Sequence, residues 1–243
     1  MPKTPTKLLL FDIDGTLVKM QKGMPHDIFE SAMREIFGFE INLDGFDFSG
    51  KTDYLIFREV GKIAGLSDEE IAINQEQVMD FVANSLEETM NGETLALLPG
   101  VRELLESLDR EERAILAILT GNTPRGAHVK LKVHDLNRFF RFGVYGNETH
   151  DRNELGPLAM KRAEELLPDE VILANDVVVI GDSLRDAACA NALGAKCIIT
   201  LTGKTTREEF LEYVPHYFFD DLTNIEAVKA AIFGEQLSEE ELA

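Results

Sequence analysis

Lys7-Leu8-Leu9-Leu10-Phe11-Asp12-Ile13-Asp14-Gly15-Thr16 carries an unbroken apolar run straight into two carboxylates and a glycine. A short run of this kind fits a strand buried on both faces, as in a helix-covered parallel sheet. Two later stretches repeat the arrangement. Ala114–Leu119 leads into Thr120, Gly121 and Asn122, and Val177–Ile180 leads into Gly181 and Asp182, with Asp186 just beyond. In an open parallel sheet, ligands sit at the carboxyl ends of the strands, so these distant residues are expected to converge. Asp12, Asp14, Asp182, Asp186, Thr120 and Asn122 supply carboxylates, a hydroxyl and an amide, a set suited to Mg²⁺ and a phosphoryl group.

Asp12 and Asp14 are two residues apart, so an extended backbone points both side chains the same way. Such a pair repels itself unless a cation separates the charges or one group takes a proton. Gly15 permits a sharp turn just past them. A calcium loop counted from Asp12 fails, because Leu17 and Gly23 stand where that loop needs Gly and Glu.

The chain has 243 residues, 44% of them hydrophobic, and a net charge of −20. That length allows one large domain or one domain with an insertion. The negative surface excludes nucleic acid and anionic membranes as partners, since both demand basic patches. Salt screens the same field beyond roughly 8–10 Å, so local cations govern whether an anionic substrate enters. Cys189 and Cys197 form no Cys-x-x-Cys pair and lie in apolar stretches; they read as buried reduced thiols of a cytoplasmic protein. The apolar run before Asp12 is too short for a signal-peptide core or a membrane span.

The fold expected is α/β: a three-layer αβα, Rossmann-like core with a parallel sheet, residues 1–18 and 93–243, carrying an all-α insertion at 19–92. Strands are expected at 7–12, 114–120, 142–145, 176–181, 195–201 and 217–219, alternating with helices. Val101, Leu104, Leu105 and Leu108 give one amphipathic helix, and further helices are expected at 124–134, 157–167, 206–213 and 224–233. Within the insertion the pattern is helical, and Ser67-Asp68-Glu69-Glu70 reads as a capping box opening a helix that runs to about Met90. The acidic tail after Gly234 reads as frayed.

Asp12-Ile13-Asp14-Gly15-Thr16-Leu17, Thr120-Gly121-Asn122 and Gly181-Asp182-Ser183-Leu184-Arg185-Asp186 together resemble the first, second and fourth motifs of the haloacid dehalogenase superfamily. The phosphoglycolate-phosphatase-like hydrolases with a helical cap are the most similar branch. The resemblance implies a Mg²⁺-dependent phosphatase acting on a small phosphorylated metabolite, a phosphoglycolate-like monoester. Asp12 corresponds to the nucleophile that becomes an aspartyl-phosphate, and Asp14 to the general acid and base, with its backbone carbonyl on the metal. Asp182 corresponds to a second metal carboxylate and Asp186 to its outer partner, and Thr120 and the amide after it to phosphate donors. A dehalogenase displaces halide and needs no proton, so the presence of Asp14 favours phosphoryl transfer. The third motif departs from the family: Arg152 stands where a lysine is usual, and it offers a rigid fork of donors instead of a point charge. Lys161 lies further along the following helix and is expected to face solvent. The resemblance also places Gly50-Lys51-Thr52-Asp53 as a cap loop whose Lys51 meets substrate, while Thr52 or Asp53 also suits a plain helix N-cap. The partners expected are a small metabolite and, at most, a second copy of the chain (monomer or homodimer).

Three rival readings remain. A phosphomutase uses the same aspartates and returns the phosphoryl group to a sugar. Gly45–Thr52 matches the P-loop pattern letter for letter, but no buried strand precedes it and Asp47 places a negative charge in the phosphate cradle. A non-catalytic binding protein has no need of both Asp12 and Asp14. His26, His128, His134, His150 and His216 share no metal-ligand spacing and are expected to pack or face solvent.

Overall fold

A computed structural model describes residues 6–213 and 217–234. His216 and the tail from 235 onward lie outside the described residues. In chain order the elements are β1 (Lys7–Phe11), β2 (Val18–Met20), α1 (Met24–Phe37), α2 (Asp53–Ile63), α3 (Asp68–Thr89), β3 (Leu95–Leu97), α4 (Val101–Asp109), β4 (Ala114–Leu119) and α5 (Pro124–Val133). They continue with β5 (Phe142–Val144), α6 (Leu155–Leu166), β6 (Val177–Gly181), α7 (Leu184–Leu193), β7 (Lys196–Thr200), β8 (Tyr217–Phe219) and α8 (Ile225–Phe233). Six strands form one sheet in the order β5-β4-β1-β6-β7-β8, and every pairing in it is parallel. β1 therefore lies between β4 and β6 at the point where strand order reverses, the position at which an open α/β sheet binds ligands. Phe11 pairs with Ile118 on one side and Ile180 on the other, so Asp12, Thr120 and Asp182 leave the sheet at the same edge.

Side chains alternate across the sheet, and the apolar runs divide accordingly. Leu9, Phe11, Leu116, Ile118, Val178 and Ile180 face a layer built from α4, α5 and α8. Leu8, Leu10, Ala117, Leu119, Val177 and Val179 face α6 and α7. Both faces are covered, which is why the strands read as continuous hydrophobic runs. Phe11 is fully buried, and removing a side chain of its size from water contributes roughly 1.5–3 kcal/mol. Cys189 and Cys197 both lie in the second of these layers, and burial pushes the Cys189 thiol up to about 11.

α1, α2 and α3 pack on one another through a third apolar cluster that includes Phe29, Met33, Phe57, Val60, Val78 and Leu86. The capping box at Ser67 is formed with Glu70, and Thr52 caps α2 by accepting from the Leu55 amide. Two features differ from expectation. β2 and β3 make an antiparallel two-stranded ribbon on either side of the helical segment; each has only three residues, too few to show a period in the sequence. Residues Arg207–Glu212 form a 3₁₀ helix, where an α-helix was expected at 206–213.

The loop between α1 and α2 is bonded directly to the sheet's ligand edge. The Asp53 amide donates to the Gly121 carbonyl at 2.7 Å, and the Thr123 amide donates to Asp53 Oδ2 at 2.7 Å. A Cβ on Gly121 would lie 2.1 Å from the Lys51 carbonyl oxygen, and one on Gly146 would lie 1.9 Å from the Gly121 carbonyl oxygen. Only glycine allows these backbones to approach so closely. Burial raises the Asp53 carboxyl to about 6, against the pull of Lys130 and the Thr123 amide. Its pKa is higher folded than unfolded, so the folded state prefers the protonated form and stability falls as pH rises from about 4 through 6. Asp53→Asn keeps an acceptor for the Thr123 amide and removes this dependence. Thermal melts between pH 4.5 and 7.5 should show wild type losing stability relative to Asp53→Asn as pH increases; parallel profiles would contradict the assignment.

Candidate active site

Asp12, Asp182 and Asp186 each offer a carboxylate oxygen within 4.8 Å of the others, and all three residues are buried. Asp12 follows β1, and Asp182 and Asp186 lie after β6, at the head of α7. Arg152, in a short 3₁₀ turn capped by Asp151, enters from the neighbouring loop. Its Nη2 donates to Asp12 Oδ1 at 2.8 Å and to Asp186 Oδ1, while Nη1 donates to the Gly50 carbonyl at 3.1 Å. Three carboxylates facing one guanidinium leave two negative charges uncompensated. Burial, then Asp186 and Asp14, push the Asp12 carboxyl up to about 7 although Arg152 pulls the other way. Burial, followed by Asp186 and Asp12, likewise raises Asp182 well above the usual carboxylate range. Burial alone disfavours a charged Arg152, but Asp186 and Asp12 hold it protonated.

Asp186 is the most heavily bonded of the three carboxylates. Oδ2 accepts from the Ser183 hydroxyl at 2.6 Å and from the Ser183 and Asp182 amides, while Oδ1 takes Arg152. It sets the position of Arg152 and of the turn that carries Asp182. Glycines make room for Asp182: a Cβ on Gly15, at φ +87°, or on Gly203 would overlap its carboxylate, at 2.2 and 1.9 Å. An all-oxygen donor set with a double negative excess, beside a turn that only glycine fits, matches a hard divalent cation.

Asp14 faces a different set of partners. Its Oδ2 accepts from Asn122 Nδ2 at 2.8 Å and from Lys130 Nζ at 2.7 Å, and its Oδ1 is buried with no partner. The bonds of the turn use the Ile13 carbonyl and the Gly15 amide, not the Asp14 carbonyl. Lys130 also donates to Asn122 Oδ1 at 2.6 Å. Asn122 gives its amide N–H and its Nδ2 to Thr120 Oγ1, at 3.3 and 2.7 Å. Both acceptor sites of that hydroxyl are thereby filled, and its proton is left to donate elsewhere.

Lys130 is the residue the sequence does not single out. It lies on α5, whose sequence was read only as a helix, yet it is only 4% exposed. Its signal was its spacing: with Ala127 and Leu131 it falls at i, i+3 and i+4 on the buried stripe of the helix. Lys161 faces solvent, as expected.

Lys51 lines the same cavity as Asp12, Asp14, Thr120 and Asp182. Its ammonium pairs with Glu59 and sits 4.4 Å from the centre of the Phe46 ring. The P-loop-like stretch Gly45–Thr52 follows α1, not a strand, and ends in the N-cap of α2. Its backbone lacks the strand-to-helix setting that a phosphate cradle of that type requires.

Comparison with known proteins identifies the family. A family model described as haloacid dehalogenase-like hydrolase matches residues 9–200. A phosphoglycolate phosphatase from Pseudomonas savastanoi pv. phaseolicola is 26% identical over 225 residues, covering 90% of this chain and 78% of that protein. Among solved structures, a hydrolase from Pseudomonas syringae superposes with a TM-score of 0.68 at 21% identity, covering 90% of this chain and 94% of the other. A Thermotoga maritima protein assigned as a beta-phosphoglucomutase superposes with a TM-score of 0.60 at 20% identity, covering 92% and 98%; at such identities the likeness shows the fold. With its motifs at the switch point of a parallel sheet and the family match spanning most of its length, this chain belongs to the haloacid dehalogenase-like hydrolase family, as an enzyme of phosphoglycolate phosphatase-like type.

Proposed function

We propose that the enzyme is a Mg²⁺-dependent phosphatase that hydrolyses a small phosphorylated metabolite through a phosphorylated Asp12. The observation that carries this reading is the meeting of Asp12, Asp182 and Asp186 beside a single buried guanidinium. Asp12 and Asp182 would hold the metal with the Asp14 carbonyl, and Asp186 would stand behind them. Bound Mg²⁺ supplies charge neutralisation at the phosphoryl oxygens, which lets one anion approach another.

The protein's own groups then have distinct tasks. The free Asp12 oxygen attacks phosphorus, an Asp12 O–P bond forms and the ester P–O bond breaks. The unpaired Oδ1 of Asp14 is the atom available to give its proton to the departing alkoxide. In the second half, Asp14 takes a proton from water as that water displaces Asp12 from phosphorus, and the carboxylate is regenerated. Thr120 donates its hydroxyl to a phosphoryl oxygen. Arg152 fixes Asp12 and balances charge between nucleophile and phosphate. Lys130 and Asn122 hold Asp14 in place. Residues 19–92 act as a cap that closes on the core, 1–18 and 93–243, and excludes water. A phosphomutase reading uses the same groups on the same fold; release of inorganic phosphate separates the two.

Asp12→Asn is expected to lower turnover by at least about a thousandfold while the protein folds normally; retained turnover removes Asp12 from the nucleophile role. Chelation with EDTA should abolish the wild-type rate, and added Mg²⁺ should restore it; a rate indifferent to chelator removes the metal from the proposal. Lys130→Met should reduce kcat/KM about tenfold to hundredfold through a misplaced Asp14, most strongly for esters with poor leaving groups. An equal loss for good and poor leaving groups would show that Lys130 does not act through the acid.

A further inference from the structure

The cavity that holds the carboxylates is far larger than a phosphoryl site. It measures about 1050 Å³ and extends from Asp12 and Thr120 to the loop between α1 and α2, above the usual span of small-molecule pockets. Its far wall is aromatic. Phe48 packs edge-on against both His26 and Phe46, with ring centroids 4.8 Å apart in each case, and Phe29 lies 5.7 Å from Phe48. Phe46 and Phe48 are only half-buried, so part of each ring remains open. His26 Nδ1 is buried with no hydrogen-bond partner.

The charges in the wall point the same way. Arg152, Lys130 and Lys51 are each already paired, with Asp12, Asp14 and Glu59 respectively. Lys19 is bonded to the Thr202 carbonyl. Lys22 and Lys204 are exposed. Further carboxylates, among them Asp27, Asp44 and Asp47, line the same space. Among the described residues the buried cations of the cavity are all paired with carboxylates, and only the exposed Lys19, Lys22 and Lys204 are not, so a second anionic group next to the phosphate meets no buried counter-charge.

We propose that the alcohol portion of the substrate is an uncharged ring system that lies against Phe46, Phe48 and His26, and that a two-carbon acid phosphate is a poor ligand. This rests on the phosphatase reading for the placement of the phosphate, but the aromatic wall is an independent observation. Rings favour edge-to-face and offset contacts with Phe and His, and the exposed part of Phe48 supplies them, one side of Phe46 being already covered by the Lys51 ammonium.

Benzyl phosphate, ethyl phosphate and 2-phosphoglycolate test this. Benzyl and ethyl alkoxides leave with similar ease, so a difference between those two esters reports binding. Calorimetry on Asp12→Asn protein with Mg²⁺ measures affinity without turnover, and hydrolysis by wild type tests the phosphatase reading separately. Benzyl phosphate should bind about tenfold more tightly than ethyl phosphate and more tightly than 2-phosphoglycolate. Phe48→Ala should weaken benzyl phosphate about fivefold and leave ethyl phosphate unchanged; the ethyl ester thereby reports that the variant is folded, and Phe48→Leu repeats the test with side-chain volume kept. No hydrolysis of any ester, with benzyl preference intact, would overturn the phosphatase reading and leave the ring site standing. Equal affinity for benzyl and ethyl phosphate, or preference for 2-phosphoglycolate, would overturn the ring site whether or not the enzyme turns over.

Discussion

A buried guanidinium holds two carboxylates that would otherwise repel each other, and the ligand edge of the sheet is organised around that contact. Arg152 bonds to Asp12 at the end of β1 and to Asp186 on α7, and its other Nη reaches the Gly50 carbonyl in the helical segment. One side chain thus ties three separate stretches of chain to a common point. Charges so far from water are stable only when paired. The arrangement nevertheless leaves Asp182 without a cationic partner in direct contact, and it is that residual charge which makes room for a divalent ion.

The same contact explains why a planar guanidinium suits this position better than a compact ammonium would. A lysine reaches one point, whereas a planar fork serves Asp12, Asp186 and a backbone carbonyl at once. Its rigidity has a consequence for the loop at Gly50. That loop also rests on Gly121 through the Asp53 amide, so the helical segment is bonded both to the charge network and to the loop after β4.

Much of this was legible in the sequence because the responsible signals are local. The runs ending at Asp12, Thr120 and Asp182 are continuous since both sheet faces are covered, and their polar ends mark the ligand edge. The ribbon of β2 and β3 was invisible, since three residues carry no measurable period. Arg207–Glu212 had the composition of a helix, but only a tight six-residue turn forms there. Lys130 escaped notice, and Asp53 read only as a cap-loop residue and N-cap candidate, for a different reason. Each becomes significant only through a partner more than sixty residues away, Asp14 for one and Thr123 for the other. His26 was likewise bland as a sequence feature, because a wall of rings exists only after α1 folds against the following loop.

The overall charge of −20 and an anionic substrate are compatible for reasons of range. Beyond roughly 8–10 Å the field of the acidic surface is screened, so the substrate responds to nearby groups only. Within the cavity the buried cations are already matched to carboxylates, and a bound divalent ion would supply the positive excess that a phosphoryl group requires. Placing that excess at one end, and aromatic surface at the other, divides recognition into two independent parts. The charged end acts on any phosphate ester alike and gives chemistry, while the aromatic end differs between esters and gives selection. The two ends are nevertheless not mechanically separate, because the α1–α2 loop that carries Phe46 and Phe48 also gives its Gly50 carbonyl to Arg152.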